Sequence, residues 1–205
     1  MGMINQACKF VMGFILVVPI VLSCASVPSL NVTYRLPTIS EDLKGRRVFL
    51  AIEDTRSAKE IIGAGAKEDF KSFPGNVSFS LARGNEPGFK IGPYDVPSLF
   101  KEAFKRTLEG SGAEVVAVRK KGQVEVVIVL KDFLLNLIGR KWVVNIEYEA
   151  QLVRDGRLLS KQTISGQAER IKVIGKSQAD DVVGEIFTDT VNKLDVARLF
   201  KQAGL

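Results

Sequence analysis

The sequence predicts an α+β fold in which two main helices pack on one face of an antiparallel sheet, after a cleaved signal peptide. Three observations predict it. Residues 123–172 are rich in apolar and β-branched residues and are interrupted only by turn sequences at 139–140 and 155–156, which indicates a meander of long strands. Segments with apolar residues at helical spacing stand before and after this meander. An uncharged run at residues 10–22 precedes all of these predicted strands and helices.

The N-terminal segment is typical of an export signal. Lys9 is followed by the sequence FVMGFILVVPIVL, which carries no charge. A helix that crosses the bilayer core needs roughly 20 residues, and Pro19 would interrupt one here, so a transmembrane anchor is the weaker alternative. The run ends in VLSC at residues 21–24, which resembles the lipobox of bacterial lipoproteins.

The lipobox resemblance implies that residues 1–23 are removed and that Cys24 becomes the lipidated N-terminus. Cys24 would carry a diacylglycerol thioether and an N-acyl chain such as palmitate, and stable anchoring requires more than one such chain. Ala25 replaces the aspartate that marks inner-membrane retention, so we expect the periplasmic face of the outer membrane. The alternative is conventional cleavage that leaves Cys24 an ordinary residue.

The first part of the mature chain is predicted to be a tether followed by one strand. Residues 24–44 have scattered polar residues and no sustained period, so they indicate a tether that ends in a short edge strand at residues 31–35. The domain then occupies residues 45–205, and its first strand is RRVFLAIE at residues 46–53. Residues 57–94 form a glycine-rich region, whose alternating residues 77–81 indicate a further strand.

Helix signals flank the meander. Asp95 is placed to cap a helix with Pro97 in its first turn, and a short strand at residues 113–118 follows that helix. After the meander, Ser177 opens a second main helix, with Asp180 at the acidic position of a capping box. Asp195 then starts a short terminal helix.

Composition excludes several kinds of chemistry. The chain has 205 residues and no histidine. Its formal net charge is +6, and its basic residues are scattered among 23 acidic residues. Without histidine there is no Ser-His-Asp or Cys-His catalysis and no common zinc site. Basic clusters at residues 46–47, 119–121 and 140–141 are too short to indicate nucleic-acid binding. We therefore expect that the protein is not an enzyme and that it binds no metal and no cofactor beyond the lipid on Cys24.

Four charged residues are the candidate partner contacts. Asp54 and Arg56 end the first strand and can pair across a tight turn, although a local structural pair is the more frequent meaning of such spacing. Glu147 and Glu149 share the polar face of a strand, about 7 Å apart. An open, solvated sheet surface is the more frequent reason for such a pair.

Several segments together resemble the YajG family of bacterial lipoproteins. They are the lipobox, the strand that ends in EDTR, the helix PSLFKEAFKRTLEGSGAEVV and the C-terminal VGEIFTDTVNKLDVARLF. The resemblance implies an outer-membrane lipoprotein that contacts another envelope component without catalysing a reaction. More distantly, the layout is similar to auxiliary lipoproteins of ABC-type lipid-transport systems. A carboxylate-based cell-wall hydrolase is the remote alternative, and it requires two carboxylates across a cleft.

Overall fold

The computed structural model describes residues 29–173, 175 and 177–205. The signal segment, Cys24 and the first residues of the predicted tether lie outside the described residues. In chain order the elements are β1 (Asn31–Leu36), β2 (Arg47–Asp54), a 3-10 turn (Ala64–Ala66), β3 (Val77–Arg83), β4 (Phe89–Tyr94), α1 (Val96–Gly110), β5 (Glu114–Val116), β6 (Val124–Ile138), β7 (Lys141–Arg154), β8 (Arg157–Ile171), α2 (Ser177–Asn192) and α3 (Val196–Gln202).

The larger sheet has five strands in the order β5-β2-β6-β7-β8. Strands β6, β7 and β8 form the predicted antiparallel meander. The α+β class and the two main helices are also confirmed, but the sheet is mixed, because β2 runs parallel to both β5 and β6. Parallel neighbours need a crossover connection, and the excursion through β3, β4 and α1 supplies the one between β2 and β5.

A second sheet joins β1, β3 and β4, with β1 at its edge and parallel to β3. The predicted edge strand is therefore confirmed, but it belongs to the domain. Leu30, Val32 and Tyr34 are fully buried in the core, because their period-2 alternation gives one apolar strand face. The domain thus includes residues that the prediction assigned to the tether, and the link between Cys24 and the fold is short.

Both main helices pack on one face of the larger sheet, as predicted. Tyr148 of β7 contacts the rings of Phe100 and Phe104 of α1, and its hydroxyl donates to the carbonyl of Thr190 in α2 at 2.8 Å. Phe100 also packs edge-on against Phe187 of α2, with ring centroids 5.1 Å apart. The aromatic core therefore fixes the helices to the sheet and to each other.

The hydroxyl of Tyr34 ties β1 to the two main helices. It lies 2.7 Å from the Thr107 hydroxyl of α1 and donates to the Asn192 side chain of α2 at 2.8 Å. Burial raises the pKa of Tyr34 to about 12, because the ionised phenolate would lose its hydration. This strand is accordingly held by polar as well as apolar contacts.

The predicted helix caps have the expected geometry where the structure describes them. The Asp95 carboxylate accepts from the Ser98 N–H at 2.8 Å, and the Asp195 carboxylate accepts from the Arg198 N–H at 2.8 Å. Helix α2 begins at Ser177, as predicted. Among the described residues, no helix has both the length and the apolar character needed to cross a bilayer.

The glycine-rich region is packed structure over much of its length. The predicted strand appears as β3, which pairs with the antiparallel strand β4. Gly63 and Gly65 lie against the end of β6, where a Cβ on Gly65 would overlap the carbonyl oxygen of Leu137. The glycines therefore allow close backbone approach.

Candidate functional site

The end of β2 forms a tight charged corner. The Arg56 guanidinium donates from Nε to Asp54 Oδ1 and from Nη2 to Asp54 Oδ2, both at 2.9 Å, and the Arg56 N–H also donates to Oδ1 at 3.2 Å. The N–H and hydroxyl of Thr55 both donate to the carbonyl of Leu130 in β6. The predicted Asp54–Arg56 pair therefore exists, and it anchors the corner to the neighbouring strand.

This ion pair is more buried than its spacing suggested. The side chain of Arg56 is 4% exposed and that of Asp54 is 18% exposed. The bidentate hydrogen bond from Arg56 holds the pKa of Asp54 well below its usual range, against the opposing effect of burial, and Lys59 lowers it further. The Arg56 side chain is thus largely shielded from solvent, and the pair acts as a structural clamp at the start of the loop.

The two predicted glutamates both lie on the open face of the larger sheet, but their surroundings differ. Glu149 accepts hydrogen bonds from the Gln151 amide at 2.6 Å and the Lys161 ammonium at 3.0 Å. These partners lower its pKa, with the Gln151 contact the larger cause. Glu147 is exposed and lies opposite Asp132 in the strand register. Glu149 is therefore satisfied within the sheet, whereas Glu147 faces solvent.

Asp132 lies beside Glu147, an association that the spacing of residues in the sequence does not predict. A register shift between Leu130 and Asp132 brings its side chain beside Glu147. Burial raises the pKa of Asp132, and the Glu147 charge raises it further. The two carboxylates line a shallow depression of about 300 Å³ with polar neighbours from β7 and β8. They stand side by side on one sheet surface, and not on opposite walls of a cleft as the hydrolase alternative requires.

A basic groove at one end of the larger sheet brings two of the predicted basic clusters together. Its volume is about 440 Å³. Apolar residues and cations both line it: Arg46, Arg47, Val116, Val118, Lys120, Lys121, Val124 and Phe200, together with Gly45, Gly122 and Gln123. Clusters more than 70 positions apart in the sequence converge because β2 and β6 start side by side in parallel.

The cations of the basic groove are not all neutralised. Arg47 pairs with Glu114 at 3.0 Å, and the Arg46 guanidinium lies 6.0 Å from the centre of the Phe200 ring. Within the described part of the chain, Lys120 and Lys121 form no ion pair, and both are exposed. Val118 beside them is 69% exposed. The groove therefore combines free positive charge with exposed apolar surface.

The third basic cluster lies at the opposite end of the sheet, in the turn between β6 and β7. Lys141 there pairs with Glu169 at 2.8 Å. Across the described residues, no group of three or more Cys, His, Asp or Glu side chains is arranged to hold a metal ion.

The fold of this chain is shared with a solved bacterial protein. No family model matches the sequence, and no curated protein is similar to it. Protein XCC0632 from Xanthomonas campestris, assigned to DUF330, is similar in structure with a TM-score of 0.54 and 14% identity over 86% of this chain and 96% of its own. A minor lipoprotein from Acinetobacter baumannii aligns with a TM-score of 0.40 and 10% identity over 78% of this chain and 94% of its own. Lipoprotein GNA1162 from Neisseria meningitidis aligns with a TM-score of 0.31 and 14% identity over 72% of this chain and 96% of its own.

Proposed function

We propose that this protein is a lipid-anchored envelope lipoprotein that acts as a non-enzymatic binding module. Cys24 would hold it through a diacylglycerol thioether and an N-acyl chain at the periplasmic face of the outer membrane. The support for anchoring is the VLSC sequence after an uncharged run too short to span a bilayer. The YajG-like segments described above support the same class of protein.

The basic groove is the observation that carries the binding role. It places, beside apolar side chains, two lysines that form no ion pair with the residues that the structure describes. This combination suits an acidic partner surface that carries an apolar anchor residue. Charge at its rim would attract the partner, and burial of Val118 would stabilise the complex. The exposed carboxylate of Glu147 on the open sheet face is a second candidate contact.

The position of the groove fits this role. Strand β6 starts at the groove with Val124 and ends at Ile138, a span of about 45 Å at the usual strand rise. The first strand, β1, begins near the Ile138 end of the sheet, because the Asn31 N–H donates to the Asp180 carboxylate in the first turn of α2. A lipid on Cys24 would therefore direct the groove away from the membrane.

A site-specific crosslinking experiment tests the proposal. A photo-crosslinking residue replaces Val118 in the full-length protein, and the matched control replaces Phe89, which is 66% exposed on β4. We expect an envelope protein to be captured from Val118 and not from Phe89, and to be lost in the Cys24→Ala protein. The proposal fails if Val118 captures nothing in anchored protein, or if the protein turns over an envelope substrate and Glu147→Gln abolishes that turnover.

A second candidate is an auxiliary lipoprotein of an ABC-type lipid-transport system. The cationic rim and apolar floor of the basic groove favour it, because an anionic phospholipid offers both a charged headgroup and apolar chains. Gently extracted protein would then retain phospholipid in native mass spectrometry, and Lys120→Glu with Lys121→Glu would release it. Detection of no lipid beyond the Cys24 acyl chains would contradict this candidate.

A further inference from the structure

Three large aliphatic side chains are exposed together at the end of the sheet opposite the basic groove. Ile138, Ile171 and Val173 are 60%, 61% and 68% exposed, and we call them the aliphatic tip. Lys141 lies opposite both Ile138 and Ile171 in the strand register, so the two isoleucines flank it on neighbouring strands. Val173 follows two residues later, where the Lys172 N–H donates to the Arg140 carbonyl at 2.8 Å.

Two cationic residues near the aliphatic tip differ in whether they form an ion pair. Lys172 is held inward, with its ammonium 2.6 Å from both Asp69 carboxylate oxygens and 5.2 Å from the Trp142 ring centre. Arg140 is exposed and makes no ion pair with any described residue. The tip therefore presents apolar side chains next to a free guanidinium, as interfacial membrane-binding segments do.

The chain enters the fold at the same end. The Asn31 N–H donates to the Asp180 carboxylate at 2.9 Å, in the first turn of α2. Further along, the Arg35 N–H donates to the Thr188 hydroxyl at 3.1 Å, so β1 and α2 run in the same direction. Asn31 therefore lies at the end of the fold where α2 starts, and α2 follows the aliphatic tip in the chain.

The distance from the anchor is limited by the covalent chain. Cys24 and Leu30 are six positions apart, and a fully extended chain of that length spans about 22 Å at most. Leu30 is fully buried, so the tether cannot lengthen by releasing it without disrupting the core. A lipid on Cys24 would thus keep this end of the domain near the bilayer.

We propose that the aliphatic tip rests in the headgroup region of the bilayer that holds the Cys24 lipid, with Arg140 beside it at the lipid phosphates. This inference depends on the proposed lipidation of Cys24. Together the lipid and the tip make two attachments, which would fix the orientation of the domain and hold the basic groove away from the membrane. A lipid tether alone would leave the domain free to tumble.

Fluorescence quenching in vesicles tests this orientation. The chain after Cys24 has no cysteine, and a thioether occupies the Cys24 sulfur in the lipidated protein, so one introduced cysteine can be labelled selectively. The test variant is Ile171→Cys, and the matched control is Leu158→Cys, an exposed aliphatic position at the other end of β8. Lipidated protein is placed in phosphatidylethanolamine–phosphatidylglycerol vesicles that carry a headgroup-attached quencher.

We expect headgroup quenching to reduce the Ile171 probe signal by about twofold or more and to leave the Leu158 probe unaffected, because short-range quenchers act only near the interface. In protein that also carries Ile138→Ser and Val173→Ser, the Ile171 probe should be quenched less while the protein still floats with vesicles. Equal, weak quenching at both positions in floating protein would overturn the tip proposal while leaving the lipid anchor intact. Protein that lacks the acyl mass and does not float would overturn the lipid anchor, and the tip proposal with it.

Discussion

Removal of the Asp54 carboxylate should be among the most destabilising polar substitutions in this protein. Asp54→Asn keeps the size of the side chain but removes the charge and one of the two oxygens that accept from Arg56. The Arg56 side chain, 4% exposed, would then retain a buried and uncompensated charge. Breaking one partner of such a pair costs about 3–5 kcal/mol. For a domain of this size, about 3 kcal/mol lowers the Tm by roughly 6–12 °C.

The measurement is thermal and urea unfolding of the anchor-free Cys24→Ala protein, with and without Asp54→Asn. Glu53→Gln is the matched control, because Glu53 is exposed and precedes Asp54 directly, and its cost should stay within about 0.5 kcal/mol. A double variant, Asp54→Leu with Arg56→Met, should be less destabilised than Asp54→Asn, since no buried charge remains. A cost below about 1 kcal/mol for Asp54→Asn, or a larger cost for the double variant, would refute the buried-clamp explanation.

The same pair gives a pH dependence with a defined sign. The pKa of Asp54 is lower in the folded protein than in the unfolded chain. Its contribution to stability is therefore complete above the ordinary aspartate pKa of about 3.9 and is lost as the pH falls below that value. Asp54→Asn should abolish this part of the acid sensitivity, whereas Glu53→Gln should retain it.

Three further predictions concern other parts of the molecule. Because the folded pKa of Tyr34 is raised to about 12, stability should fall by about 1.4 kcal/mol per pH unit for this group as the pH rises from 10 to 12, and Tyr34→Phe should reduce that slope in alkaline unfolding curves. Gly65→Ala should cost about 1–3 kcal/mol in urea unfolding because its Cβ meets backbone, whereas Gly110→Ala, with nothing within 4 Å, should be neutral or stabilising. Lys120→Glu with Lys121→Glu should abolish Val118 crosslinking without changing the Tm by more than about 2 °C, since both side chains are exposed.

Local signals in the sequence predicted most of the individual elements. The Asp155-Gly156 turn joins β7 to β8 as expected, with both residues at positive φ. The Asp95 cap likewise forms where its spacing to Ser98 indicates. These features depend on residues within a few positions of one another, so a single sequence carries enough information to predict them.

Features that depend on pairing between residues far apart in the sequence could not be predicted from these local signals. The parallel register of β2 and β6 brings together two basic clusters, and neither cluster shows this convergence by itself. The shift at Leu130 and Asp132 pairs Asp132 with Glu147 in place of the expected association of Glu147 with Glu149. The burial of Arg56 also arises from tertiary packing, since its spacing to Asp54 indicated only a local turn.

The mass of the N-terminal peptide of the protein extracted from membranes tests the lipid anchor most directly. We expect a peptide that begins at Cys24 and carries the added mass of a diacylglycerol and an N-acyl chain. A peptide that begins elsewhere, or one in which Cys24 has a free thiol, would contradict the lipid anchor and the orientation built on it.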